Sequence, residues 1–204
     1  MKTKMMMTAF FILAGMGLSS QPAIGGTPSG QIRAMLGAVM NIQTDPRLQG
    51  AEFRNQRREA IKKIIAHNFN FEAMPERALG QYWKQLDEGD RAEFKALFQD
   101  LFQESYTRLV LDFLRQEKVL YDKEEVRQGQ ALVKTTIVRV NEEIPVDYTL
   151  ATVQGRWRVE DVSIDGASIV RNYQRSFARV IQRESFPSLL QKMRLQKQAI
   201  ENPA

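Results

Sequence analysis

Apolar positions along this 204-residue chain change their period several times. Ile32, Met35, Leu36, Val39 and Met40 recur at helical spacing and predict a helix over 31–43. Thr44-Asp45-Pro46 ends it, because the residue before a proline is pushed out of the α region. A second helix, 51–68, sets Phe53, Ile61, Ile64 and Ile65 inward and Arg54, Arg57, Arg58, Lys62 and Lys63 outward. Residues 69–83 read as short helices or turns. Asp90 and Glu93 form an Asp-x-x-Glu capping box that opens the longest helix, 91–114. Along it Phe94, Leu97, Phe98, Leu101, Phe102, Leu109, Val110 and Phe113 make one apolar stripe, with Tyr106 beside it.

From about residue 118 the period shortens to two, as in strands. KVLYDKEEV, QALVKTTIVRV, EIPVDYTLATV and RWRVEDVSIDG are four strand-like runs with turn residues at Gly129, Asn141-Glu142 and Gln154-Gly155. Connections so short join antiparallel neighbours, so the sheet is a meander. In the third run Val146, Tyr148 and Leu150 face one way, Asp147 and Thr149 the other. In the fourth, Trp157 and Val159 alternate with polar neighbours, then the apolar phase slips to Val162 and Ile164. A slip of one residue predicts a β-bulge at Glu160-Asp161, which bends the strand and strengthens its twist. Helices over 167–183 and 185–199 close the chain, divided at Phe186-Pro187.

The class is therefore α+β: N-terminal helices, a curved four-stranded antiparallel sheet, then C-terminal helices. Gly166 would turn the chain back so that Tyr173 and Phe177 lie across the concave side, with the long helix covering the rest. Such a half-cone packs solid or encloses a cavity, and patterning does not separate the two.

Composition changes the picture at the N-terminus. Lys2 and Lys4 precede the apolar run MMMTAFFILAGMGL (5–18), and Ala23 and Gly25 are placed like a signal-peptidase site. Residues 1–25 are expected to be a signal peptide and 26–204 a single exported domain. The run is short for a membrane span, although an uncleaved anchor is the alternative. The chain has no cysteine, which excludes thiolate catalysis, disulfides, Cys-ligated metals and a lipoprotein anchor. Loss of Lys2 and Lys4 lowers the formal charge from +5 to +3, still basic. For an exported protein this points to anionic lipid or an acidic protein surface, with no nucleic acid as partner.

Candidate chemistry is sparse. His67 is the only histidine, so multi-imidazole metal sites are excluded and a catalytic triad would have to use it. It reads as a surface or boundary residue. The pairs Glu124-Glu125, Glu142-Glu143 and Glu160-Asp161 read as solvated strand edges rather than catalytic dyads, because strand neighbours point to opposite faces. No phosphate loop or dinucleotide fingerprint occurs, and no metal, cofactor or enzymatic activity is expected. Arg171, Arg175, Arg179 and Arg183 recur every four positions. They form a cationic stripe that docks an acidic partner or is simply a solvated helix face.

Two stretches carry a family resemblance: FNFEAMPERALGQYWKQLDEGDRAEFKALFQDLFQESY (69–106) and VDYTLATVQGRWRVEDVSIDGASIVRNYQRSF (146–177). The F-x-F start, the turn of Leu79, Gly80 and Trp83, the Phe-rich helix ending in Tyr106, and W-x-V-x-D-V followed by G-x-S and N-Y resemble the MlaC-type periplasmic phospholipid-binding proteins. This is also called the toluene-tolerance auxiliary family and includes a branch that accompanies hopanoid biosynthesis. Asn70 departs from the pattern, where an aspartate is expected between the two phenylalanines. The resemblance implies a fold like nuclear transport factor 2 around an apolar cavity for phospholipid acyl chains. It also implies a shuttle between an inner-membrane ABC transporter with its MCE-protein ring and an outer-membrane lipoprotein complex, with phospholipid or hopanoid as cargo.

A carrier needs extensive apolar wall and few polar contacts. The expected wall is the inward sheet phase (Val138, Val140, Val146, Tyr148, Leu150, Val159, Val162, Ile164), the helix stripe (Phe98, Phe102, Tyr106) and a lid (Ile169, Tyr173, Phe177). Each of these residues has plain core packing as its alternative. Two rival classes stand beside the carrier: an enzyme, since cone-shaped folds of this kind house isomerases and dehydratases, and an adaptor with a solid core.

Overall fold

The computed structural model describes residues 26–202; the signal peptide expected over 1–25 lies outside them. Helix α1 spans Pro28–Thr44, opened by Thr27, whose side chain accepts from the Gly30 amide, with Pro28 in the first turn where its missing N–H costs nothing. A 3₁₀ turn, Pro46–Leu48, leads to α2, Arg54–Asn68. Helix α3, Met74–Leu79, stops at Gly80, whose φ of 61° suits glycine. A Cβ there would also stand 2.5 Å from the Gln174 side chain, so Gly80 permits a close approach between α3 and the later helix α5, Ile169–Arg183.

The long helix α4 runs from Glu88 to Phe113, three residues earlier than the pattern predicts. Its cap is Asp87, whose Oδ1 accepts from the Asp90 amide at 2.8 Å. The box expected from Asp90 and Glu93 is therefore corrected: Asp90 is already helical, and Glu93 pairs with Arg194 of the last helix, α6 (Phe186–Glu201). The basic face of α2 is partly committed inside the molecule. Arg58 binds the buried Glu104 of α4 at 2.6 Å, and Arg57 donates to the Gly50 carbonyl at 3.1 Å.

The strands are β1 (Lys118–Arg127), β2 (Gln130–Val138), β3 (Glu143–Val153), β4 (Arg156–Ile164) and β5 (Ala167–Ser168), antiparallel and adjacent in chain order. The sheet has five strands where the pattern predicts four. The fifth forms because Asp165 and Gly166 both take positive φ and make a tight hairpin, pairing Ser163 with Ser168 and Ile164 with Ala167. Gln128-Gly129 and Gln154-Gly155 make the same kind of turn.

The bulge lies where the phase slip predicts it. Thr149 pairs with Asp161 and Leu150 with Val159, which leaves Glu160 as the extra residue. A second, unanticipated bulge leaves Asp122 unpaired in β1, so the sheet is bent near both edges. Glu160 is not a solvated edge, as the sequence reading held. It is 3% exposed, forms an ion pair with Arg77, and accepts from Asn70 Nδ2 at 2.8 Å. The bulge turns this carboxylate toward the α2–α3 corner, where the Asn70 amide also donates to the Val159 carbonyl. Asp161 is likewise engaged, accepting from the Val162 and Val170 amides and the Ser168 hydroxyl. Glu124, Glu142 and Glu143 do lie on exposed edges.

The core sits between the concave sheet face and the helices. Val133, Leu150, Trp157, Val159 and Val162 belong to it, with α1 against β1 and β2, and α2 and α5 against β4. Along α4 the rings of Phe94, Phe98, Phe102 and Tyr106 succeed one another at centroid distances of 6.1, 5.7 and 5.7 Å. Tyr173 and Phe177 of α5 close on this ladder at 5.5 Å from Phe98 and 5.6 Å from Phe94. Each such pair adds about 0.5–1.5 kcal/mol beyond area burial.

Candidate ligand cavity

Beyond Tyr106 the apolar stripe of α4 continues through Leu109, Val110 and Phe113, but α5 does not reach it. An apolar cavity of about 300 Å³ remains between this last stretch of α4, Leu36 of α1, and the ends of β2, β3 and β4. That is near the lower bound of small-molecule sites, about 300–1,000 Å³. Ile137, Ile144, Val146 and Ile164 supply the sheet wall, Tyr106 and Tyr148 the inner end, and Arg139, Glu142 and Asp165 the rim. Phe113 is 50% exposed at the mouth, so the stripe is not buried along its whole length.

Of the residues expected to form an acyl-chain wall, Tyr106, Val146, Tyr148 and Ile164 line this cavity. Phe98, Phe102, Leu150, Val159, Val162 and Phe177 are buried in the packed core, with Ile169 and Tyr173 half-buried beside them. Two residues are corrected. Val138 and Val140 do not belong to the inward phase of β2, which is carried by Ala131, Val133, Thr135 and Ile137. Val140 lies beyond the strand in the β2–β3 loop and is 97% exposed. The even-numbered reading of β2 fails because Thr135, a polar residue, faces the core and satisfies its hydroxyl on the Val146 carbonyl at 2.7 Å.

The sequence reading missed Leu36, Leu109, Val110, Phe113, Leu114, Ile137 and Ile144 as cavity residues. For most of them a signal existed. Leu109, Val110 and Phe113 belong to the α4 stripe, and Ile144 shares the phase of Val146 and Tyr148.

Tyr106 and Tyr148 both line the inner end of the cavity, and burial raises both phenols above their ordinary value of 10.0. Both stay neutral through the physiological range, so the inner cavity carries hydroxyl dipoles and no charge. Apolar walls, a neutral inner end and charges only at the rim suit a ligand with a hydrocarbon body and a polar head.

His67 is exposed on α2. Arg171, Arg175, Arg179 and Arg183 are all exposed along α5. Among the described residues, none of the four takes part in an ion pair.

The fold has a counterpart among solved structures. The phospholipid-binding protein of Ralstonia solanacearum, solved in complex with a phospholipid, superposes with a TM-score of 0.73 at 20% identity. The match covers 87% of this chain and 100% of that one, and it establishes a shared fold. The intermembrane phospholipid transport system binding protein MlaC of Haemophilus influenzae is 19% identical over 144 residues, 68% of this chain and 67% of its own. The model of the MlaC protein family matches residues 33–195, well over half of the sequence, and the chain belongs to that family.

Proposed function

We propose that the protein is a periplasmic lipid carrier that takes phospholipid acyl chain into the open-ended cavity and moves lipid between the inner and outer membranes. The observation that carries this reading is the apolar cavity at the mouth of the half-cone, in a chain of the MlaC family whose fold is shared with a protein solved with phospholipid. The export signal expected over 1–25 fits it, as does the fact that, among the described residues, no helix is long and apolar enough to cross a membrane.

Energetics support a carrier role for such a cavity. Each methylene taken out of water into the cavity hides about 0.8 kcal/mol of hydration cost. Bilayer and protein offer similar shelter, so transfer is nearly neutral and docking sets its direction. The arginine stripe of α5 is the proposed docking surface for an inner-membrane MCE-protein/ABC transporter complex and an outer-membrane lipoprotein complex. Like charges at i and i+4 oppose helix formation by about 0.2–0.5 kcal/mol per pair. Since none of the four arginines pairs with a carboxylate among the described residues, an acidic partner would relieve that opposition. Reversal of Arg175 and Arg179 to Glu is expected to weaken association with both complexes at physiological salt while bound lipid is unchanged; undiminished association returns the stripe to a solvated face.

Organic extraction of the purified protein and mass spectrometry test the cargo. Co-purified phospholipid supports the carrier, and hopanoid in its place assigns a different apolar cargo to the same cavity. A protein that carries and takes up no lipid defeats the reading and leaves the enzyme and adaptor classes. Val146→Arg places an unpaired charge in the cavity wall and is expected to abolish lipid retention.

A further inference from the structure

The apolar cavity opens beside a larger polar vestibule of about 880 Å³, and Arg139 and Glu142 line both. Besides Arg139, the vestibule holds the cations Arg115 and Lys118, against the carboxylates Glu117 and Glu142. Asp165 borders the cavity but not the vestibule. Hydrocarbon walls thus give way, at Arg139 and Glu142, to a space with a surplus of positive charge.

Arg139 is placed by the backbone and incompletely used by it. Its amide donates to the Glu142 carbonyl at 2.8 Å and closes the β2–β3 loop. Its Nη2 donates to the Phe113 carbonyl at the end of α4, and its guanidinium lies 5.2 Å from the Phe113 ring centroid. Nε has no hydrogen-bond partner: Glu117 Oε1 is 3.7 Å away, near enough to attract and too far to accept. The side chain is 26% exposed, with Nε itself buried. A planar fork of this kind matches the oxygens of a phosphate, which a lysine ammonium does not.

We propose that Arg139, supported by Arg115 and Lys118, reads the phosphodiester of the lipid headgroup, so that the protein selects phospholipid over uncharged lipid with the same chains. The inference rests on the carrier reading and adds the headgroup class to it. Glu117 acts as the internal competitor for the guanidinium, occupying it until the phosphodiester arrives.

The test equilibrates the full mature protein with detergent micelles holding equal amounts of palmitoyl-oleoyl phosphatidylglycerol and the diacylglycerol with the same chains. The re-isolated protein is then extracted and both lipids are quantified. Wild type is expected to favour the phospholipid about tenfold, and Arg139→Met to bring the ratio close to one. Glu117→Gln is expected to raise the ratio, an outcome that loss of a merely structural ion pair would not produce. An excess of inorganic phosphate is expected to leave the wild-type ratio in place. A ratio unchanged in Arg139→Met overturns the headgroup assignment and leaves the carrier standing. A ratio abolished by inorganic phosphate overturns it in favour of a free-anion site. Should Arg139→Met take up neither lipid, Glu117→Gln decides: a raised ratio supports the proposal, and an unchanged or lowered one overturns it. Uptake of neither lipid by wild type defeats the carrier reading and this inference with it.

Discussion

The two halves of α4 carry the same kind of stripe and have opposite fates. From Phe94 to Phe102, the rings meet Tyr173 and Phe177 of α5 and pack at ordinary aromatic distances. From Tyr106 to Phe113, the equally apolar side chains face the cavity, and Phe113 is half in solvent. Hydrophobicity alone therefore does not separate wall from core. The difference lies in what stands opposite. Helix α5 starts at Ile169, directly after the β4–β5 hairpin, and sets Tyr173 and Phe177 against Phe94, Phe98 and Phe102, while Asp165 of the hairpin stands at the cavity rim.

The strongest way to break this comparison is a truncation at the packed end. Phe102 is 2% exposed and touches Phe69, Phe71, Phe98, Tyr106 and Tyr173. Phe102→Ala is expected to cost about 3–5 kcal/mol, read as a fall of about 10 °C in melting temperature. A melting temperature within a degree or two of wild type would show that this end is also loosely filled.

The boundary between the two halves is the Tyr106–Tyr148 pair, and it can be tested by pH. Burial raises both phenols, so the unfolded chain releases their protons first, near 10.0, while the folded protein still holds them. Stability is then unaffected by the pair below that value and falls as pH rises above it, by up to about 1.4 kcal/mol per pH unit for each tyrosine. Replacing both by Phe is expected to remove this part of the alkaline decline in denaturant titrations between about pH 10 and 11. An unchanged slope would mean that the pair is not desolvated.

At the hollow end the effect on stability is smallest. Leu109→Ala removes wall that already faces the cavity, with an expected cost of about 1 kcal/mol, well below that of Phe102→Ala. Lipid occupancy, measured by extraction, should change more in Leu109→Ala than in Phe102→Ala. The reverse order would place the binding space under α5.

Much of this architecture is legible in the residues. Period two over 118–164 and the slip after Val159 mark the meander and its bend, and the Phe-rich stripe marks the helix that covers it. Capping is local but ambiguous: Asp87 and Asp90 are both plausible caps, and only the helix that forms selects Asp87. The fifth strand is two residues long, too short for any periodicity to show. The site was harder to place. Tyr106, Val146, Tyr148 and Ile164 follow from face and phase, but the same rule also selects core residues such as Leu150 and Val159. It fails outright at Val138 and Val140, because a threonine takes the buried phase of β2.

Glu160 shows the same limit from the polar side. Its sequence neighbourhood, Val-Glu-Asp-Val, is that of an exposed strand edge, whereas Asn70 and Arg77, far away in sequence, make it a buried anchor. The sequence by itself determined the order and type of the main elements, the bulge and the apolar interior, because these depend on neighbours within a few positions. Tertiary structure alone decided where the interior is solid and where it is hollow, and which charges stand at its mouth. A cavity is a shortfall of side chains from other elements, and that α5 places none of its own opposite Phe113 is written in no local period.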